Sequence, residues 1–197
     1  MSEILNYLNR MIPAAMLGLV FYFLSRPLRL RRLKGRGEGT SPAHEGFFAL
    51  FLVLLAGLLW LTVLPKVIWA DGRIVFQEEG VGGINLRPFT IFWQSRILAE
   101  QGYTNYFLIN FWGNIAMFLP IGLFPALLWR KFRWWQAALA GFLLSLSIEL
   151  LQIPIHRGTD IDDLWLNTLG ALLGWLFGWL LSRIGPGFAE NCKTRRL

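Results

Sequence analysis

NYFLINFWGNIAMFLPIGLFPALLWRKFRWWQAALAGFLLSLSIELLQIPIHRGTDIDDLWLNTLGALLGWLFGWLL, residues 105–181, is the stretch that decides the fold. It holds three hydrophobic segments, each with polar groups: Asn110 and Asn114 in the first, Glu149 and Gln152 in the second, Asp163 and Asn167 in the third. About 20 mainly apolar residues suffice for a helix to cross a bilayer. A charged carboxylate at the bilayer centre costs about 2.5–3.5 kcal/mol on insertion scales, so it faces partners or water and is by default a candidate functional group.

Working outward, the whole 197-residue chain is 55% hydrophobic and only 16% charged, against about 25% charged in an average soluble domain. That composition implies an all-α, polytopic membrane bundle with no room for a large soluble domain. Ten Trp and 16 Phe fit aromatic belts and lipid-facing surfaces. The net charge of +7 comes from short basic clusters beside hydrophobic segments. Such clusters set topology and do not form a nucleic-acid groove. Cys192 is the single cysteine, which excludes a disulfide framework or a cysteine-based zinc site. The first apolar run has no small-residue cleavage site and is followed by Arg26, so it reads as a retained span.

Five spans are expected, at residues 11–30, 45–64, 106–129, 134–155 and 161–182. Ser41-Pro42 is a helix start signal for the second. Arg26, Arg29, Arg31, Arg32, Lys34 and Arg36 lie between spans one and two. Arg130, Lys131 and Arg133 lie between three and four, and Arg183, Lys193, Arg195 and Arg196 follow span five. The alternate loops are charge-balanced or acidic, so the positive-inside rule puts the N-terminus outside and the C-terminus in the cytoplasm. The chain divides into residues 1–40 (first span and basic loop), 41–182 (the main membrane domain, motif-bearing over 84–181) and 183–197 (a cytoplasmic tail). In the long outer loop, Arg73–Gln77 is strand-prone and residues 80–83 are turn-rich, which suggests a short hairpin. Residues 90–98 follow, with Phe89, Phe92, Trp93, Arg96 and Ile97 on one amphipathic side of a short interfacial helix.

The polar groups align in depth. Asn110 and Asn114 are four apart, Glu149 and Gln152 three apart with His156 seven from Glu149, and Asp163 and Asn167 four apart. At about 1.5 Å per residue, Asn114, Glu149 and Asn167 all fall about 9–12 Å inside the outer boundary. The loop from His156 to Asp163 caps them with Arg157 and three aspartates. Asp160 is placed to cap span five, and Asp162 and Asp163 to favour its positive dipole end. Arg157 either pairs with Glu149 or Asp160 or binds an anionic group. The carboxylates with His156 match no metal-binding spacing, so no metal and no cofactor is expected. Gly170, Gly174 and Gly178 form a small-residue face that admits a close neighbouring helix, and Pro120 and Pro125 are expected to kink span three.

Four blocks together resemble the VanZ-like family: Ile84-Asn85-Leu86-Arg87-Pro88-Phe89; Asn110 through Gly122, with Phe118-Leu119-Pro120-Ile121-Gly122; Ser145 through Gln152, with Glu149-Leu150-Leu151-Gln152; and Arg157 through Gly174, with Asp160, Asp162-Asp163, Asn167-Thr168 and Gly170. One common form of the first block has Asn-Leu-Ile/Val-Pro-Phe, and Arg87 here adds a charge before the proline. The resemblance implies an integral membrane protein of the cell envelope, and the family's name-giving member is associated with low-level teicoplanin resistance. Three roles stay open. The cluster (Arg87, Asn110, Asn114, Glu149, Gln152, Arg157, Asp160, Asp163 and Asn167) binds an envelope lipid, a lipid-linked cell-wall precursor or a lipoglycopeptide. Alternatively, Glu149 with His156 does acid–base chemistry on a lipid-linked phosphate, with Arg157 stabilising negative charge. In the third reading the cluster only staples helices together and partner proteins act.

Overall fold

The structure is a computed structural model that describes residues 2–64, 66–70, 73–77, 83–155 and 157–196. Seven helices are described: α1 (Ser2–Lys34), α2 (Pro42–Val63), α3 (Thr90–Glu100), α4 (Gly113–Leu128), α5 (Trp134–Gln152), α6 (Ile161–Ile184) and α7 (Pro186–Cys192). Six short strands join them: β1 (Glu38–Gly39), β2 (Lys66–Ala70), β3 (Arg73–Gln77), β4 (Ile84–Asn85), β5 (Thr159–Asp160) and β6 (Arg195–Arg196). The protein is a helical membrane bundle. Among the described residues, four segments are long and apolar enough to cross a bilayer: Pro42–Val63, Leu108–Leu128, Trp134–Ile155 and Ile161–Ile184. The 33-residue α1 runs unbroken through Arg26 and Pro27 and lies along α2, with Gly18 against the backbone of Leu52 and Val53. Its outer side is apolar and exposed, as a lipid-facing helix requires.

α2 starts as its sequence signals: the Ser41 Oγ accepts from the His44 N–H at 3.0 Å, with Pro42 in the first turn. α4 is continuous through Pro120 and Pro125. The irregularity in this span falls before the prolines, in a π-helical turn over Leu108–Trp112. α4 and α6 share the closest interface. A Cβ on Gly170 would strike the Ile115 carbonyl oxygen, one on Gly174 that of Leu119, and one on Gly122 that of Ala171. Close helix approach in lipid depends on such small residues, because packing must drive association where there is no hydrophobic effect between helices. Leu58, Phe118, Ile121, Ile148 and Ala171 form a core where α2, α4, α5 and α6 meet. Ile91, Ile115 and Leu166 form a second, which seats α3 on α4 and α6.

The two ends of the bundle differ. At the basic end the C-terminal residues fold back and do not trail as a tail. The Ser41 hydroxyl donates to the Asn191 carbonyl, and His44 Nδ1 donates to the Cys192 carbonyl at 2.8 Å. Arg130 pairs with Glu190, and β1 pairs antiparallel with β6. At the opposite end β2 and β3 form a hairpin, so the partner of Arg73–Gln77 is the preceding Lys66–Ala70 and the glycine-rich run is not the turn between them. β4 pairs in parallel with β5, joining Ile84–Asn85 to the start of α6. α3 buries Ile91 and leaves Trp93 and Arg96 exposed, while Phe92 packs on Phe107 and Phe111.

Candidate functional site

The end of the bundle opposite the basic loops is organised around Asp162. It sits in the first turn of α6, where the helix dipole favours a carboxylate. Its Oδ1 accepts from the Phe89 backbone N–H at 2.6 Å and the Trp165 Nε1–H at 2.9 Å. Its Oδ2 accepts from the Ile91 N–H at 2.8 Å and the Thr90 hydroxyl at 3.0 Å. Four donors fill the lone pairs of one carboxylate. Asp162 is 1% exposed, so this anchor is a buried one. Phe89, one residue before α3, is held at φ 64, a left-handed conformation that is an outlier for a bulky side chain.

Asp160 caps α6. Its Oδ1 accepts from the Asp162 N–H at 2.9 Å, and its Oδ2 accepts from Asn85 Nδ2 at 3.0 Å. Asn85 Nδ2 also donates to the Thr90 hydroxyl at 2.6 Å, and Asn85 Oδ1 accepts from the Arg87 N–H at 3.2 Å. The first motif block and the last are therefore one hydrogen-bonded unit.

Deeper in the bundle, Asn114 of α4 donates through Nδ2 to Asp163 Oδ1 at 2.5 Å. Ser145 of α5 donates to the Asp163 carbonyl at 3.3 Å and accepts from Asn167 Nδ2 at 2.9 Å. Glu149, 4% exposed, accepts through Oε2 from the Asp160 N–H at 3.0 Å. Asn167 Oδ1 is buried with no hydrogen-bond partner.

Above this layer lies a cavity of about 250 Å³. Asn85, Gln94, Tyr106, Asn110, Asp160, Asp162 and Asp163 line it, with Gly83, Ile91, Gly158 and Thr159. Tyr106 donates its hydroxyl to Gln94 Oε1 at 3.1 Å, and Asn110 Nδ2 donates to the Tyr106 carbonyl at 2.9 Å. The π-helical turn makes this possible, because it rotates Asn110 relative to Asn114 so that the first meets the cavity and the second meets Asp163.

The structure thus separates the nine binding candidates. Asn110, Asp160 and Asp163 line the cavity, and Asn114, Glu149 and Asn167 stand behind it. Gln152 and Arg157 turn elsewhere. Gln152 Nε2 donates to the Thr62 carbonyl at 2.9 Å, and Arg157 Nη1 donates to the carbonyls of Leu61 at 3.0 Å and Thr62 at 2.8 Å. Both satisfy carbonyls that the last turn of α2 leaves without intrahelical donors. Arg87 is exposed and is not part of the lining. His156, the second acid–base candidate, lies outside the described residues. Among the described residues, no three His, Cys, Asp or Glu side chains converge as a metal site would need.

Asn85, Gln94, Tyr106 and Asp162 were not among the binding candidates. Gln94 was findable: it lies three residues after the inward-facing Ile91, so it shares the buried side of α3. The role of Asp162 was hidden, because two of its donors are backbone N–H groups that any sequence would supply.

A family model described as VanZ/LLP1 matches residues 50–182, about two-thirds of the chain. Comparisons with curated proteins and with solved structures gave no match. The matched region contains α4, α5, all but the last two residues of α6 and every residue that lines the cavity. The chain belongs to the VanZ/LLP1 family.

Proposed function

We propose that this protein binds the polar headgroup of a cell-envelope amphiphile, a lipid-linked cell-wall precursor or a lipoglycopeptide, in the cavity between α3, α4 and the start of α6, and through it contributes to glycopeptide resistance. The observation that carries this reading is the cavity itself: about 250 Å³ lined mostly by amide, phenol and carboxylate groups, at one end of a membrane bundle. The positive-inside rule puts that end outside, where such ligands are found.

The hydrogen-bond inventory of the lining sets the headgroup chemistry. Asp162 is saturated, and both donors of the Asn85 amide are used. Asp160, Asp163 and the Asn110 carbonyl oxygen keep accepting capacity. Among the described residues, no Lys or Arg lines the cavity. The site therefore favours groups that donate, sugar hydroxyls, amides or amines, over a phosphate that needs cations.

The test uses cells lacking the native protein and complemented with wild type, Tyr106→Phe or Gln94→Leu. Each strain is read for membrane-inserted protein and for teicoplanin and vancomycin susceptibility, and purified protein for co-isolated lipid. Normal accumulation with lost protection and lost ligand supports the reading. Protection unchanged in both variants, or only bulk phospholipid in the wild-type preparation, overturns it.

A further inference from the structure

A second cavity lies at the other end of the bundle, between α1 and α2, in residues that precede the family-matched region. It measures about 410 Å³. Arg29, Arg32 and Arg36 line it on one side, and Phe21, Leu28 and Phe48 form its apolar walls. We propose that this groove is a binding site for an anionic phospholipid, with the phosphate on the arginines and an acyl chain along Phe21 and Leu28.

Four observations converge. The Arg29 guanidinium gives Nη2 to Glu45 Oε2 at 2.5 Å, while its Nε and Nη1 are buried with no hydrogen-bond partner. Buried donors without acceptors cost free energy, and a phosphate oxygen in the groove would supply the acceptor. The Arg29 Cζ stands 4.2 Å from the centre of the Phe48 ring, which fixes the guanidinium plane at the groove wall. The charge balance is positive: Glu45 is already engaged by Tyr22 at 2.7 Å, Arg26 at 3.2 Å and Arg29, and among the described residues no acidic one lines the groove. The apolar side is open to lipid, with Phe21 61% and Leu28 60% exposed. Basic pockets between membrane helices at the positively charged face are built to hold anionic headgroups. A free phosphate would use the arginines but leave the apolar wall uncovered, which is why a lipid is the occupant.

The experiment is native mass spectrometry of the full-length chain released from detergent with phosphatidylglycerol, with phosphatidylcholine of the same acyl chains, or with inorganic phosphate. Wild type should retain phosphatidylglycerol in preference to phosphatidylcholine. Arg32→Ala/Arg36→Ala should weaken that retention by about thirty-fold, the effect of removing two arginines at about 1 kcal/mol each. Both side chains are exposed, so the melting temperature should hold. Should the double variant melt early, Leu28→Ser in the exposed wall gives the same reading independently, with lost lipid retention expected. Equal retention of the two lipids, unchanged retention in a folded double variant, or displacement by equimolar inorganic phosphate would each overturn the proposal.

Discussion

Asp162 receives the backbone N–H of Phe89 at 2.6 Å across 73 positions of sequence, and this bond ties the start of α3 to the start of α6. The helix that walls the cavity is tied by this one carboxylate beside the apolar seat that Ile91 makes on Ile115 and Leu166. The Ile91, Thr90 and Trp165 donors on the same side chain make that attachment cooperative.

Asp162→Ala should therefore detach α3. It leaves the Phe89 and Ile91 amides, the Thr90 hydroxyl and the Trp165 indole without their acceptor, and each buried unsatisfied group costs about 1–3 kcal/mol. The variant should melt well below wild type in detergent. Amide exchange should rise first over Thr90–Glu100, with α4 and α6 still protected. Uniform exchange across all helices would contradict this local picture.

The α4–α6 interface predicts a sharp difference between glycines. Gly174→Ala must push the Leu119 carbonyl away, at about 1–3 kcal/mol for an overpacked site, and Gly170→Ala should behave alike. Gly113→Ala meets nothing within 4 Å and should be neutral to stabilising. Thermal melting of the three variants side by side checks the order.

Arg157→Ala removes a charged donor from the carbonyls of Leu61 and Thr62. Its expected effect is lower accumulation and a loss of about 1–3 kcal/mol. It should not selectively abolish ligand retention in the protein that does fold. Full accumulation with lost protection would instead place Arg157 at the ligand.

At the basic end, burial pushes the Cys192 thiol above its ordinary value, with the Lys193 charge opposing. A raised folded-state value means the native protein holds the thiol proton more tightly than the unfolded chain. This contribution to stability is complete below the unfolded value of about 8.5 and is lost as pH rises through the folded one. Cys192 is fully buried, so maleimide should label it only after unfolding. In Cys192→Ser the decline in melting temperature above pH 8.5 should be shallower. Rapid labelling of native protein at neutral pH would show that α7 is undocked.

Much of the fold could be read directly. The spans at 45–64, 134–155 and 161–182 lie within a few residues of α2, of α5 with its terminal 3-10 turn, and of α6, because an unbroken apolar run in lipid has only the helix available to it. The expectation that Asn114, Glu149 and Asn167 share one level follows from depth arithmetic, since regular helices convert sequence number directly into height. The π-helical turn took Asn110 off the face that the four-residue spacing shares with Asn114, because a wider turn leaves no mark in hydropathy. Gln152 and Arg157 looked like ligand groups for a similar reason. Their partners are backbone carbonyls of Leu61 and Thr62, and the need of a helix end for donors is the same whatever its side chains are.

The sequence by itself determined a helical membrane protein, the approximate height of each polar group and the membership of its family. Those properties depend on local hydropathy, helical rise and ordered motif blocks, all of which are carried along the chain. Only the tertiary structure decided which side chains meet the cavity, that Asp162 anchors α3, that the C-terminal helix docks on Ser41 and His44, and that Arg29 borders a basic groove. Each of these joins elements distant in sequence through a backbone group or a shared cavity, and neither has a signature in the order of residues.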